Sequence, residues 1–361
     1  MTADSTATAI PDTMRAAVLY GPGDIRVEDK PVPRPGPGEV LVKVTVCGMC
    51  GTDLKIYDGN FPQTPPYGSY TPGHEWAGVV VECGESVDEV APGDRVCIEA
   101  HHGCGRCGNC MAGLYTACMN YGDVAKGHRA SGMTVDGGFA EYAVHHVASL
   151  YKMSNNVSDN DAVLITTAGT GLFGLDTAGG YIVGDTVVVI GPGPVGLMTV
   201  QACKQLGARE VILVGTRASR LAKGAELGAD HTIDASATDP VHVLREIAPE
   251  GADLVIETSG AVRTPQQSVE MVRRGGTLLF VAFYPEPITL DLSAVVRSNV
   301  QVHTTRGEGG NNVKRALALA EIGRLRGEEL VTHEFALDDI AEALRVVRER
   351  DGDPLKAVIR F

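Results

Sequence analysis

Four cysteines, Cys104, Cys107, Cys110 and Cys118, follow one another as C-x2-C-x2-C-x7-C. Short intervals of this kind let consecutive thiolates converge on one cation, and four sulfurs complete a closed tetrahedral shell around Zn²⁺. Gly103, Gly105 and Gly108 leave the backbone free to fold tightly around such an ion. A closed shell has no place for substrate, so the expected role is structural. The run lacks the C-P ending of the bacterial ferredoxin type of iron–sulfur ligation. A second group, Cys50-Gly51-Thr52-Asp53 and Gly73-His74-Glu75, brings together a thiol, an imidazole and carboxylates. Cys, His and a carboxylate at strand ends suit an open-shell zinc, whose remaining position takes water or a substrate oxygen. Asp53 is suited to orient a ligating imidazole from behind.

A third motif is Gly191-Pro192-Gly193-Pro194-Val195-Gly196, which is G-x-G-x-x-G. It stands directly after the apolar run 186–190 (TVVVI) and before a helical pattern. In that strand-turn-helix setting the glycines allow a tight turn and let a pyrophosphate approach the backbone, while the helix N-terminus supplies the positive end. At the end of the next strand, where an acid would bind the adenosine ribose 2′-hydroxyl, the sequence reads Val214-Gly215-Thr216-Arg217-Ala218-Ser219-Arg220. No carboxylate repels a 2′-phosphate there. Thr216, Arg217 and Arg220 offer a hydroxyl and two guanidinium groups to bind one, so NADP is favoured over NAD.

The elements that must carry these residues fall into two textures. From residue 14 to about 151, short Val-rich runs (15–20, 39–46, 78–82, 95–100) are broken by Gly and Pro, which predicts a β-rich, barrel-like region. After about residue 155, apolar β-runs alternate with helical patterns: strands at 186–190, 210–214, 252–257 and 276–281, and helices at 197–206, 220–227 and 264–273. Such alternation predicts an α/β region of βαβ units around a buried parallel sheet. Two further helices are expected at 312–325 and 340–349, followed by a terminal strand at 356–361 that fits either region.

The chain has 361 residues, enough for about two domains. Its net charge of −14 opposes binding to nucleic acid or to anionic membrane surfaces. The 44 glycines are scattered rather than periodic, which excludes a collagen-like chain. Every apolar run is cut short of a membrane span. The first thirteen residues are small and polar and read as a disordered tail rather than a secretory signal. Clustered cysteines in a chain with no export signal point to metal rather than disulfides and to a cytoplasmic location. Of the nine cysteines, Cys47, Cys83, Cys97 and Cys203 are expected to be packed thiols, and His101, His102, His128, His145 and His146 to be structural or exposed.

Taken in order, C-G-T-D, G-H-E-x-x-G-x5-G-x-x-V (73–87), the four-cysteine lobe and G-x-G-x-x-G resemble the zinc-dependent alcohol dehydrogenases of the medium-chain dehydrogenase/reductase superfamily, sorbitol and threonine dehydrogenases among them. The resemblance covers residues 14–361. It implies a GroES-like catalytic domain, 14–157 with 301–361 and a zinc lobe at about 101–120, and a Rossmann dinucleotide-binding domain at 158–300. It also implies catalytic zinc ligands at Cys50 and His74, Glu75 as a close or alternating ligand, and Thr52 as the hydroxyl that relays the substrate proton. The implied chemistry is zinc lowering the pKa of an alcohol, Thr52 passing its proton outward, and hydride transfer between the carbinol carbon and nicotinamide C4. Partners are then a small alcohol or carbonyl substrate and, by resemblance, other copies of the chain in a dimer or tetramer.

The sequence departs from the family pattern twice. The family's third protein ligand, a Cys, Asp or Glu, is replaced by Thr167, and a hydroxyl binds zinc poorly, so Glu75 and water must complete the shell or the ion binds weakly. Where many members carry a proton-relaying His, this chain has Lys55. The leading expectation is a zinc-dependent dehydrogenase of a secondary alcohol, polyol or sugar. Alternatives are a carbonyl or C=C reductase that keeps only the structural zinc, and a non-enzymatic nucleotide-binding protein with a decayed metal site.

Overall fold

A computed structural model describes residues 10–361, so the expectation of a disordered tail lies outside the described residues as far as residue 9. Residues 10–13 do not continue such a tail. Ile10 packs against a cluster containing Met14, Ala16 and Val32, and the Val32 amide donates to the Asp12 carbonyl at 3.0 Å. The strand Thr13–Gly21 follows and pairs antiparallel with Asp24–Pro31.

The contacts divide the chain into two units. The first holds the described residues up to Cys104, then 120–154 and 333–361; the second holds 105–119 and 155–332. The β-rich reading of the first unit agrees with a seven-stranded sheet centred on Glu39–Gly48. One edge of that strand pairs with Glu75–Cys83. The other is shared in succession by Tyr142–His146, opposite residues 39–43, and Lys356–Arg360, opposite residues 46–48. The terminal strand therefore joins the N-terminal sheet, which its sequence left open. Trp76, Val42, Val44, Val96, Ile98, Phe139 and Ile359 form the buried core beside it. Trp76 is fully buried, and its indole N–H donates to Ser131 Oγ at 2.9 Å, so the ring's one polar atom is satisfied.

The second unit carries a six-stranded parallel sheet in the order 231–234, 210–215, 186–190, 252–257, 272–280, 301–304. Numbered by appearance this is 3-2-1-4-5-6, the doubly wound Rossmann order. Its inner strands are continuous apolar runs because helices cover both faces; all five residues of Thr186–Ile190 are buried. The helix Asp159–Thr177 starts at Ser158, whose Oγ accepts the Asp161 amide at 3.0 Å, and Asp159 and Asp161 in its first turn complement the helix dipole.

The expected division at residue 300/301 is corrected by this sheet. Gln301–Thr304 pairs in parallel with Val272–Phe280, and Asn312–Glu321 packs against Asp159–Thr177, so 301–332 belong with the parallel sheet. The division falls at 332/333. The shift has a simple cause: a sixth parallel strand covers the edge of the fifth, and its short, mostly exposed sequence carries no apolar run.

Inside the first unit, His145 is 1% exposed, and no group among the described residues meets hydrogen-bond geometry at either ring nitrogen. Burial, with the charges of His102, His146 and Arg129, holds its pKa down to about 3. The native ring is neutral, whereas an unfolded imidazole takes up a proton near pH 6.5. Stability is therefore present above about pH 6.5 and is lost as pH falls below it, by up to about 1.4 kcal/mol per pH unit from this one group. Denaturant unfolding at pH 7 and pH 5 should show a steeper loss for the wild type than for His145→Phe; equal losses would exclude this source.

Candidate metal and dinucleotide sites

Asp53 sits in the first turn of the short helix Gly51–Tyr57 and is 2% exposed. Its Oδ2 accepts the amide of Cys50, the helix N-cap, at 2.8 Å, and its Oδ1 lies 3.2 Å from His74 Nδ1. One carboxylate thus fixes both Cys50 and His74. With Nδ1–H given to Asp53, the imidazole keeps its Nε2 lone pair for a metal. His74 follows Gly73, whose φ of +96° is open to glycine at little cost; a Cβ there would also lie 2.8 Å from the Phe139 backbone nitrogen and 2.9 Å from Cys47 Sγ. Glu75 opens the strand Glu75–Cys83. One ligand atom each from Cys50, His74 and Glu75 lies within 4.8 Å of the others. The set fits zinc, since thiolate, imidazole and carboxylate converge and leave a position open.

The electrostatics of this corner involve a residue that sequence reasoning missed. Lys356, 2% exposed, reaches from the terminal strand to Glu75, with Nζ 2.5 Å from Oε2 and 3.2 Å from the Met49 carbonyl. Burial works against its charge, but the carboxylate of Glu75, together with Cys50 and Asp53, raises its pKa all the same. Burial likewise opposes a charged His74, and the charge and hydrogen bond of Asp53, aided by Cys50, outweigh it and raise the imidazole pKa well above the usual value. A buried ammonium beside a candidate ligand means that Glu75 is shared, since its Oε2 is already engaged by Lys356.

Thr52, half-buried, lies on the same helix turn as Asp53, and Lys55 is exposed on it. Thr167 is buried within the helix Asp159–Thr177 of the second unit.

The structure brings the four cysteines of the lobe together. One sulfur from each of Cys104, Cys107, Cys110 and Cys118 falls within the same 4.8 Å limit. Cys107 Sγ and Cys118 Sγ are 3.9 Å apart, far beyond a disulfide bond, and all nine cysteines are unbridged. Cys107 Sγ accepts the Cys110 amide at 3.5 Å, and Cys104 Sγ accepts from Asn120 Nδ2 at 3.2 Å, donors that suit sulfurs carrying negative charge. A closed S4 shell for zinc fits this set.

In the second unit the G-x-G-x-x-G turn joins Thr186–Ile190 to the helix Pro194–Gln205, with Pro194 at its first turn. Gly191 has φ +109°, and a Cβ on Gly196 would lie 1.9 Å from the Gly191 carbonyl oxygen, so turn and helix touch backbone to backbone. A Cβ on Gly193 would instead meet nothing within 4 Å. The helix N-terminus therefore faces open space at Gly193, the cradle an approaching pyrophosphate needs. Half-buried Val195 belongs to the same first turn. Strand Glu210–Gly215 ends beside this turn, since a Cβ on Gly215 would strike the Pro192 ring at 2.5 Å. Beyond it, Thr216 is exposed, Arg217 caps the helix Ala218–Glu226, and Arg220 lies on its first turn.

Residues 36–155 match the alcohol dehydrogenase GroES-like domain, and residues 194–321 the zinc-binding dehydrogenase domain. A sorbitol dehydrogenase of Halalkalibacterium halodurans is 30% identical over 94% of this chain and 96% of its own. D-arabinitol dehydrogenase 1 of Uromyces fabae is 33% identical over the same shares. A Sinorhizobium meliloti structure assigned as a zinc-binding dehydrogenase and bound to NADP superposes with a TM-score of 0.87 at 31% identity, covering 97% of this chain and 100% of that one. Two matched domains, full-length relatives and the sheet order agree: the chain belongs to the zinc-dependent alcohol dehydrogenase family of the medium-chain dehydrogenase/reductase superfamily.

Proposed function

We propose that this dehydrogenase interconverts a polyol, sugar or other secondary alcohol and its carbonyl with NADP, rather than NAD, as preferred hydride carrier. The observation that carries this reading is the convergence of Cys50, His74 and Glu75 within 4.8 Å, backed by Asp53. Zinc held by these residues supplies Lewis acidity that lowers the pKa of the substrate hydroxyl. Three protein donors with one open position make a catalytic zinc shell without Thr167. Asp53 holds the His74 ring in the ligating tautomer, and Thr52, on the same helix turn as Asp53, would relay the hydroxyl proton outward to solvent as hydride passes from the carbinol carbon to the nicotinamide. The sorbitol and arabinitol relatives support the polyol class. Arg217 and Arg220, with no acid at the end of Glu210–Gly215, support NADP. Cys104, Cys107, Cys110 and Cys118 hold a second, structural zinc.

The ion pair of Glu75 with Lys356 favours one rival reading, a reductase that keeps only the structural zinc. Metal analysis separates the two: about two zinc per chain are expected, falling to about one in the Cys50→Ser/His74→Ala double variant together with loss of alcohol oxidation. One zinc in the wild type with undiminished activity would establish the rival. Asp53→Asn should lower zinc affinity or activity by about 10- to 100-fold while leaving the fold intact by circular dichroism. Arg217→Ala or Arg220→Ala should raise KM for NADP by about tenfold or more, as loss of a charge-assisted bond predicts, with little change for NAD. A wild-type preference for NAD in parallel assays would refute the assignment.

A further inference from the structure

Glu257 ends the strand Ala252–Glu257 and is fully buried. Among the described residues no cationic side chain pairs with it. Neutral donors surround it instead. Its Oε1 accepts from the Ser259 amide at 2.8 Å, the Gly260 amide at 3.2 Å and Thr264 Oγ1 at 2.9 Å, and also from Ser259 Oγ. Its Oε2 accepts from the Tyr284 hydroxyl at 2.5 Å. A buried carboxylate is a costly way to stabilise a fold, because an apolar residue of similar size avoids the desolvation. Its bonds therefore call for a reason in positioning.

They all tie down segments at one place. In the order 3-2-1-4-5-6 the chain reverses between Thr186–Ile190 and Ala252–Glu257, and the crevice for a dinucleotide lies outside the carboxyl ends of those two strands. Ser259 packs directly on the Gly191 turn, where a Cβ would lie 2.8 Å from the Ser259 nitrogen, and Thr258 Oγ1 donates to the Ile190 carbonyl at 2.9 Å. Tyr284 comes from the segment after the next strand, Val272–Phe280, and a Cβ on Gly260 would lie 2.9 Å from the Phe283 carbonyl oxygen, so the two segments abut. The adenosine-side residues 216–220 follow the strand on the opposite side of Thr186–Ile190.

We propose that Glu257 and Tyr284 are positioning residues for the nicotinamide half of the dinucleotide: the carboxylate sets the 258–260 turn against the glycine turn, and the Tyr284 hydroxyl clips the 281–284 segment to it. The proposal rests on cofactor binding at the G-x-G-x-x-G turn, and the test separates the two. Binding of NADPH, NADH and 2′,5′-ADP, which lacks the nicotinamide half, is titrated calorimetrically on the holoenzyme for wild type, Tyr284→Phe, Glu257→Gln and Gly193→Val. Gly193→Val fills the open space at the helix N-terminus at a backbone conformation any residue adopts, so its loss of NADPH and NADH binding upholds the cofactor site, and retained binding of both refutes it. Tyr284→Phe removes one hydroxyl only. It should weaken the preferred full dinucleotide by about three- to tenfold, raise its KM while kcat at saturation stays within about twofold, and leave 2′,5′-ADP unchanged. Glu257→Gln should weaken it further, and Tyr284→Phe should add little in that background, since both act through one bond. Unchanged dinucleotide affinity in Tyr284→Phe would overturn the proposal, as would an equal weakening of 2′,5′-ADP, which marks a general loosening of the unit.

Discussion

The Asp53 carboxylate is the constraint on which the candidate metal centre depends. It spans two jobs that are separate in sequence: Oδ2 caps the helix that begins after Cys50, and Oδ1 holds the imidazole of His74. A helix of seven residues is marginal by itself, and an acid in its first turn stabilises the N-terminus through the unpaired amides there. The same charge orients His74. Local helix chemistry and ligand orientation are thus one interaction, and anything that moves the start of the helix moves both candidate ligands.

The sheet makes that interaction possible. Glu39–Gly48 delivers the chain to Cys50, and its antiparallel neighbour Glu75–Cys83 begins one residue after His74, with Gly48 opposite Glu75 in the register. The pleat therefore brings residues some 25 positions apart to a common strand end. Gly73 turns the chain into that neighbour where a side chain would strike Phe139 and Cys47. The terminal strand sits on the other edge of Glu39–Gly48, with Val358 opposite Gly48, and this pairing carries Lys356 to Glu75.

Much of this was legible in the sequence where the chemistry is local. The four cysteines lie within fifteen residues, and the glycine turn and its flanking strand and helix are contiguous, so spacing alone fixed what they could do. The group of Cys50, His74 and Glu75 was legible as donor types, but its assembly came from pairing of strands that are distant along the chain. Lys356 was not legible: it is 281 residues from Glu75, and a lone lysine at the start of an apolar strand resembles a surface residue. Glu257 and Tyr284 escaped for a similar reason, because neither belongs to a motif and their bond joins the ends of two parallel strands. The boundary near residue 300 was misplaced because Gln301–Thr304 has two exposed polar positions and little apolar pattern, and only its pairing with Val272–Phe280 assigns it.

The two buried glutamates show how the same side chain is set to different work. Glu75 faces the ammonium of Lys356, which also donates to the Met49 carbonyl, so its negative charge meets a cationic partner of the kind that another cation can replace. Glu257 faces neutral donors from the backbone and three side-chain hydroxyls, each fixed by its own segment. No one of them carries a charge to be exchanged. The first arrangement suits a carboxylate that changes partners, and the second suits one that keeps them. Their places in the fold agree with that division, since Glu75 lies beside the candidate ligands Cys50 and His74, and Glu257 lies where the 258–260 turn meets the glycine turn.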